Sequence, residues 1–579
     1  MRMPPECPSA GLSAKACGNT KFDVIPGSET CRDYQEVRIQ EQVHKLTVGS
    51  IPRSITLVLH DDLVDRCKPG DDVTVVGVLR KRWRPLARDQ RPDIELAITA
   101  EHVRVRNEER GADRVSKELA QEFADYWARH ADRPLAARDW LLQQVCPSLA
   151  GMYLVKLATI LTLLGGVSHT DRSGMKVRGE SHMLLVGDAG TGKSQVLRYA
   201  AKLSPRSVLT TGIGSTAAGL TCTAVKDSSG EWMLEAGALV LADGGLCCVD
   251  EFDSIKNDER TAVLEAMEQQ TISVAKAGMV CKLRTKCTVV AATNPKGGKM
   301  DRSVALHSQT GLATPLISRF DIVLLLSDSQ DAERDQRLSS HILANTPTVA
   351  GVACGGSQTA SRSSAGAFAG EESWPLEKLR QYLEYVKVKF EPSLSEGAQR
   401  VLTGYYSMQR GAEDRDAARS TIRMLEALVR LAQAHARLMF RSECDVMDAV
   451  FAIVLMEGSH NSSRLLDQAF SVLKAEFPDD PDGEYKVLEQ TVLHGMGDGG
   501  AGFDGGFGGG GGGGDFGYGP NDFDFNFDPG GDGDAESLAK RPRTHDDAGR
   551  DPFASQFPDL RAPPARMPGA APSHFSGFM

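Results

Sequence analysis

Eight consecutive residues, Gly187-Asp188-Ala189-Gly190-Thr191-Gly192-Lys193-Ser194, follow the spacing G-x-x-x-x-G-K-S. Glycines let backbone N–H groups converge on an anion without interference from Cβ atoms. Lys193 suits the β- and γ-phosphates of a nucleoside triphosphate, and Ser194 suits Mg2+. Further on, Leu246-Cys247-Cys248-Val249-Asp250-Glu251 is an apolar run that ends in two carboxylates. Asp250 is placed for the Mg2+ shell and Glu251 for the attacking water, as general base. Thr288–Ala292 runs into Thr293-Asn294-Pro295. Asn294 there can sense a γ-phosphate or position water; the alternative is a turn started by Asn-Pro. In Leu316-Ile317-Ser318-Arg319-Phe320-Asp321, an arginine among apolar residues needs a partner. Arg319 suits the charge of a transferring phosphoryl group. An ion pair with a residue such as Asp321 is the alternative.

These side chains act only where regular elements hold them. Met183–Val186 is predicted as a strand entering the glycine-rich loop, and Ser194–Leu203 as a helix leaving it. The helix N-terminus adds partial positive charge. Around this core, Ser116–Asn345 reads as alternating strands and helices, the pattern of a parallel α/β sheet. Upstream, Val37–Ile39, Ser54–Leu59, Val73–Leu79 and Glu95–Ala100 read as short strands separated by turns such as Pro69-Gly70-Asp71, which suggests a small barrel. Trp374–Leu473 reads as helical. Within it Ile422, Leu425, Leu428, Val429, Leu431 and Ala432 recur near the helical period.

The chain has 579 residues, 41% hydrophobic and 25% charged, which excludes disorder of the whole and suggests several domains. The net charge of −11 is confined: Asp479–Met579 holds 18 Asp/Glu and 7 Lys/Arg, so the remainder is balanced. Nucleic-acid binding by the body must therefore come from local basic patches. No apolar run reaches the length of a membrane span, and Met1–Thr20 lacks the apolar stretch of a secretory signal. Twelve cysteines without a C-x-x-C point to a reducing compartment. From Gly495 the sequence is of low complexity, with seven glycines at Gly508–Gly514. Lys540-Arg541-Pro542-Arg543 is consistent with nuclear import.

Gly187–Gln195, Leu209–Thr221, Leu234–Asp253, Leu264–Gly278, Ala291–Gly298 and Leu316–Asp321 together resemble the minichromosome maintenance (MCM) helicases of the AAA+ class. The wording is most similar to the branch of the ninth paralogue. The resemblance implies a multidomain fold: an N-terminal OB-fold β-barrel, an α/β P-loop AAA+ ATPase domain and a C-terminal helical lid. The expected organisation is an irregular remnant of the N-terminal and zinc region at 1–32 and the barrel with a channel hairpin at 33–110. The ATPase core follows at 111–345, a flexible insertion at 346–373, the lid at 374–490 and a disordered tail at 491–579. ATP and Mg2+ are the implied cofactors, held by Gly187, Asp188, Ala189, Gly190, Thr191, Gly192, Lys193, Ser194 and Gln195, with Mg2+ on Ser194 and Asp250. Glu251, Asp250, Lys193 and Asn294 would act in one subunit of a ring, and Arg319 and Arg423 on the nucleotide of its neighbour. Lys276, at a hairpin tip, would contact single-stranded DNA, as would Arg80, Lys81 and Arg82 in the barrel. A helix-two insert is expected at about Leu220–Ala236, turning at Asp227-Ser228-Ser229-Gly230.

The implied function is an ATP-dependent DNA helicase of the nucleus, acting in homologous recombination and the repair of crosslinks and double-strand breaks, with DNA replication as a second setting. The implied partners are single-stranded DNA and other MCM subunits, with the eighth paralogue in a hetero-hexameric ring; no membrane is implied. The alternatives are a partner-dependent subunit or scaffold with little ATPase activity of its own, and another AAA+ machine. The chain departs from the family upstream of the barrel, where only Cys7, Cys17 and Cys31 remain of the paired cysteines that bind zinc. Three cysteines at this spacing make a poor tetrahedral site, so no stable zinc is predicted.

Overall fold

The computed structural model describes residues 31–42, 52–83, 94–105, 115–170, 174, 176–212, 217–226, 232–276, 279–301, 304, 306–328, 332–345, 373–411, 420–459, 465 and 476–497. Outside them lie the segment 1–30 with Cys7 and Cys17, the turn Asp227–Gly230, the insertion at 346–372 and the tail with Lys540–Arg543.

Four strands form the N-terminal sheet: β1 (Tyr34–Gln40), β2 (Ser54–His60), β3 (Val73–Trp83) and β4 (Ile94–Val105). Their order is β1-β2-β4-β3. Each contains an expected strand and extends it. Leu57, Leu59, Ala100 and Val103 form its small core.

The next region departs from simple alternation. It opens with three successive helices, α1 (Lys117–Arg129), α2 (Pro134–Gln143) and α3 (Tyr153–Leu164). The apolar run Leu157–Leu164 is the buried end of α3, which packs beneath the central sheet and the C-terminal helices.

The central sheet comprises β5 (Met183–Gly187), β6 (Ser207–Thr211), β9 (Leu246–Asp250), β12 (Thr288–Thr293) and β13 (Ile322–Leu326). Its order is β13-β5-β12-β9-β6, and every pairing is parallel. Both faces of β5, β9, β12 and β13 are covered, so these strands are buried almost throughout, whereas the edge strand β6 is half-exposed. Alternate residues enter opposite cores: Cys248 packs with the α3 side and Cys247 with the other. Two hairpins leave the sheet. One pairs β7 (Cys222–Lys226) with β8 (Trp232–Ala236); the other pairs β10 (Thr271–Lys276) with β11 (Met279–Arg284). Helix α4 (Lys193–Leu203) follows β5, and α5 (Asn257–Gln269) leads into β10.

Among the described residues, five C-terminal helices, α6 (Leu376–Lys389), α7 (Glu396–Gly411), α8 (Ile422–Leu438), α9 (Val446–Glu457) and α10 (Pro481–Gly497), share the α3 core. The stripe on α8 buries Leu428, Leu431 and Ala432, but Ile422 at its first turn is 65% exposed because it lies beyond that core. No helix among the described residues is long and apolar enough to cross a membrane.

Candidate functional site

Parallel pairing brings the carboxyl ends of β5, β9 and β12 to one edge, where open α/β sheets bind ligands. Gly187, Asp250 and Thr293 end these strands. Gly187 must be glycine, because a Cβ there would lie 2.2 Å from the Leu326 carbonyl oxygen. The loop then turns through Gly190 (φ 86°) and Gly192 (φ 87°), the left-handed region that favours glycine. Open space faces Gly190. Gly192 caps α4 from its N-terminal side. Asp188 ties the loop down, its Oδ1 accepting from the Met300 N–H (2.6 Å) and its Oδ2 from the Asp328 N–H (2.8 Å).

Lys193 is buried, and its Nζ donates to the Gly187 (2.8 Å) and Asp188 (2.6 Å) carbonyls and to Thr191 Oγ1 (3.3 Å). Burial lowers its pKa, while Asp188 and Asp250 favour the charged form. An ammonium satisfied only by neutral loop oxygens beside an open glycine turn fits a triphosphate, whose oxygens are stronger acceptors.

Beside the loop, the Glu251 N–H donates to Asp250 Oδ1 (3.0 Å). Glu251 has φ 53°, rare for a non-glycine residue. Such a conformation costs about 1–3 kcal/mol and persists where the surroundings impose it. Here the Gly212 N–H donates to the Asp250 carbonyl (2.8 Å), and Ser254 Oγ donates to that of Glu251 (2.6 Å). Thr293 is buried and donates to Asp253 Oδ1 (2.9 Å), which leaves Asn294 exposed just past the strand end. No local sequence pattern points to the Thr293–Asp253 pair, because its two residues lie on separate segments.

Arg319 does not pair with Asp321. Its Nη1 donates to the Pro315 carbonyl (2.7 Å) and its Nη2 to Glu268. Arg423, from the first turn of α8, also donates to Glu268 and reaches Ser318 Oγ (3.2 Å). Asp321 is instead a buried hub. It accepts from Arg178 (3.2 Å), from Arg430 of α8 (2.7 Å) and from the His182 N–H (2.8 Å). Burial alone would raise the Asp321 pKa; the two guanidiniums override it and hold the carboxyl below its ordinary range.

The expected DNA-contacting residues occupy two strands. Lys276 ends β10, paired with Met279 of β11; its side chain lies outside the described residues. Arg80, Lys81 and Arg82 lie on β3, where successive side chains alternate faces. Arg82 is paired with Glu36 (2.5 Å), whereas Arg80 and Lys81 are exposed.

The MCM P-loop domain matches residues 129–346, the MCM OB domain residues 1–82 and the MCM AAA-lid domain residues 377–460. The "Probable DNA helicase MCM9" of Oryza sativa subsp. indica is 52% identical over 483 residues, 83% of this chain and 69% of that protein. The chain belongs to the MCM family. Its relative of the same name in Arabidopsis thaliana is 50% identical over 481 residues, 83% of this chain and 72% of that protein. The "Minichromosome maintenance protein MCM" of Saccharolobus solfataricus is 35% identical over 461 residues, covering 79% and 62% of the two chains. The sheet, loop and C-terminal helices described above are thus the P-loop and lid domains of an MCM protein, and its P-loop domain implies nucleotide binding.

Proposed function

We propose that this chain is an ATP-dependent DNA helicase whose ATP sites are shared between adjoining subunits of a ring. The carrying observation is the division of its polar machinery. The phosphate cradle, Asp250, Glu251 and Asn294 meet at the carboxyl edge of the sheet, whereas Arg319 and Arg423 converge elsewhere, on Glu268. ATP with Mg2+ supplies the phosphoanhydride and neutralises its charge. Lys193 would exchange loop carbonyls for phosphate oxygens, Ser194 and Asp250 would hold the metal, Glu251 would take the proton of the attacking water, and Asn294 would orient that water. Arg319 and Arg423 stabilise the phosphoryl group of the neighbour. The other residues of the loop, Asp188, Ala189, Thr191 and Gln195, shape and close the cradle.

Lys276 at the hairpin end, with Arg80, Lys81 and the partly neutralised Arg82, contacts the backbone of single-stranded DNA in the channel. Such contacts are salt-dependent and tolerant of sequence. The names of the plant relatives support the helicase reading. The ninth-paralogue likeness supports nuclear work in homologous recombination and crosslink repair, with the eighth paralogue as ring partner. Fluorescent single-stranded DNA titrated across salt tests this reading. Affinity falls steeply with salt, and Lys276→Ala removes the stimulation of ATP turnover by DNA. Unwinding unchanged by Lys276→Ala contradicts the channel assignment. Increased sensitivity to crosslinking agents in source cells lacking the chain tests the repair role.

A further inference from the structure

Glu268 is the penultimate residue of α5, just before the β10–β11 hairpin. Its two oxygens serve different arginines: Oε2 accepts from Arg319 Nη2, and Oε1 accepts from Arg423 Nη2. The two guanidiniums come from different layers, Arg319 from the turn before β13 and Arg423 from the first turn of α8. Without a shared anion, neighbouring cations repel and splay into solvent. With it, each has a fixed approach, and each has a second anchor, the Pro315 carbonyl (2.7 Å) for Arg319 and Ser318 Oγ (3.2 Å) for Arg423.

The frame behind Glu268 is tied by hydrogen bonds as well. Arg178 donates through Nη1 to the Met267 carbonyl (3.1 Å) and through Nη2 to that of Arg319 (3.1 Å). One guanidinium thus spans the backbone next to Glu268 and the backbone of Arg319. Burial works to raise the Glu268 pKa, but Arg319 and Arg423 outweigh it and keep the carboxylate ionised.

We infer that Glu268 is a positioning residue for ATP hydrolysis, holding Arg319 and Arg423 side by side so that they meet the triphosphate of an adjoining subunit as a pair. This rests on the reading of both arginines as acting on a neighbour's nucleotide. Glu268 itself touches no nucleotide; it acts through the two cations. Preorganised charge costs no rearrangement at the moment of reaction, which is where such positioning lowers a barrier.

Mixing two damaged full-length chains tests the inference. Lys193→Ala keeps its arginines but loses its own cradle, and Arg319→Ala keeps its cradle but loses the arginine offered to a neighbour. Mixed, they restore turnover where the first donates to the second. Glu268→Gln is then added to one chain or the other. In the arginine donor it lowers the restored kcat about tenfold to a hundredfold, the scale of a small misplacement, and leaves KM for ATP little changed. In the acceptor it changes neither. Equal losses in both chains, or none in the donor, overturn the inference. Failure of the unmodified pair to restore any turnover counts instead against the trans reading of the arginines. The contact is then tested alone, by peptide mapping of arginine modification with a dicarbonyl reagent on the single chain. Glu268→Gln speeds modification of Arg319 and Arg423 while buried Arg430 stays protected, and unchanged rates overturn the inference.

Discussion

At the scale of single residues, neighbouring side chains have separable effects. Lys193 Nζ fills its bonds with loop oxygens, so Lys193→Ala removes the cation the phosphates would take over. It is expected to abolish nucleotide binding, read by displacement of a fluorescent ATP analogue. Glu251 has no part in that cradle. Glu251→Gln is expected to keep binding but lower hydrolysis by about a hundredfold or more, the usual share of a general base. Normal hydrolysis by Glu251→Gln makes the base assignment wrong. Arg319 shows where local reading fails. Arg319 and Asp321 are two residues apart, which made an ion pair plausible. Yet the chain leaves a helical turn at Arg319 and enters β13, with the Asp321 N–H bonded to the His182 carbonyl (2.9 Å), so the side chains diverge to Glu268 and to Arg178 with Arg430.

At the scale of elements, Asp321 joins the P-loop domain to the lid through Arg430 of α8, all three groups lying below 13% side-chain exposure with Arg178 included. Asp321→Asn leaves buried guanidiniums uncompensated and is expected to cost about 3–5 kcal/mol, read by chemical denaturation. Nearby, burial and then Arg178 push the His182 pKa down to about 3, and burial pushes that of His435 in α8 to about 4. Both are neutral when folded and take up a proton when unfolded below their ordinary pKa. Stability is therefore expected to fall as pH drops from about 6.5 toward 4, by about 1.4 kcal/mol per unit for each group. His182→Asn should flatten that slope in denaturation curves taken across pH. The elements themselves were largely legible. The loop between β5 and α4, and β9 ending in Asp250, are written in contiguous spacing and apolar runs. The shared carboxylate of Glu268 and the hub at Asp321 were not, because their partners meet only after α5, β13 and α8 have packed. The basic run of β3 was half legible: its charge is local, but its division between two faces and the pairing of Arg82 with Glu36 depend on the sheet.

At the scale of the whole molecule, charge is partitioned. Residues 498–579 hold 13 Asp/Glu and 6 Lys/Arg, whereas residues 1–478 are balanced. An acidic segment competes with DNA for the same cations. A chain ending at Gly497 is expected to bind single-stranded DNA more tightly at low salt, with the difference closing as salt is raised; tighter binding that persists at high salt would point to another cause. The larger claim is that each ATP site is completed by a neighbour. Its most direct test is steady-state ATP hydrolysis by the purified chain over a range of protein concentrations, with and without single-stranded DNA, beside Arg319→Ala. The account predicts a rate per subunit that rises with concentration and DNA and falls about a thousandfold or more in Arg319→Ala. A rate per subunit that is substantial, independent of concentration and untouched by Arg319→Ala would contradict it.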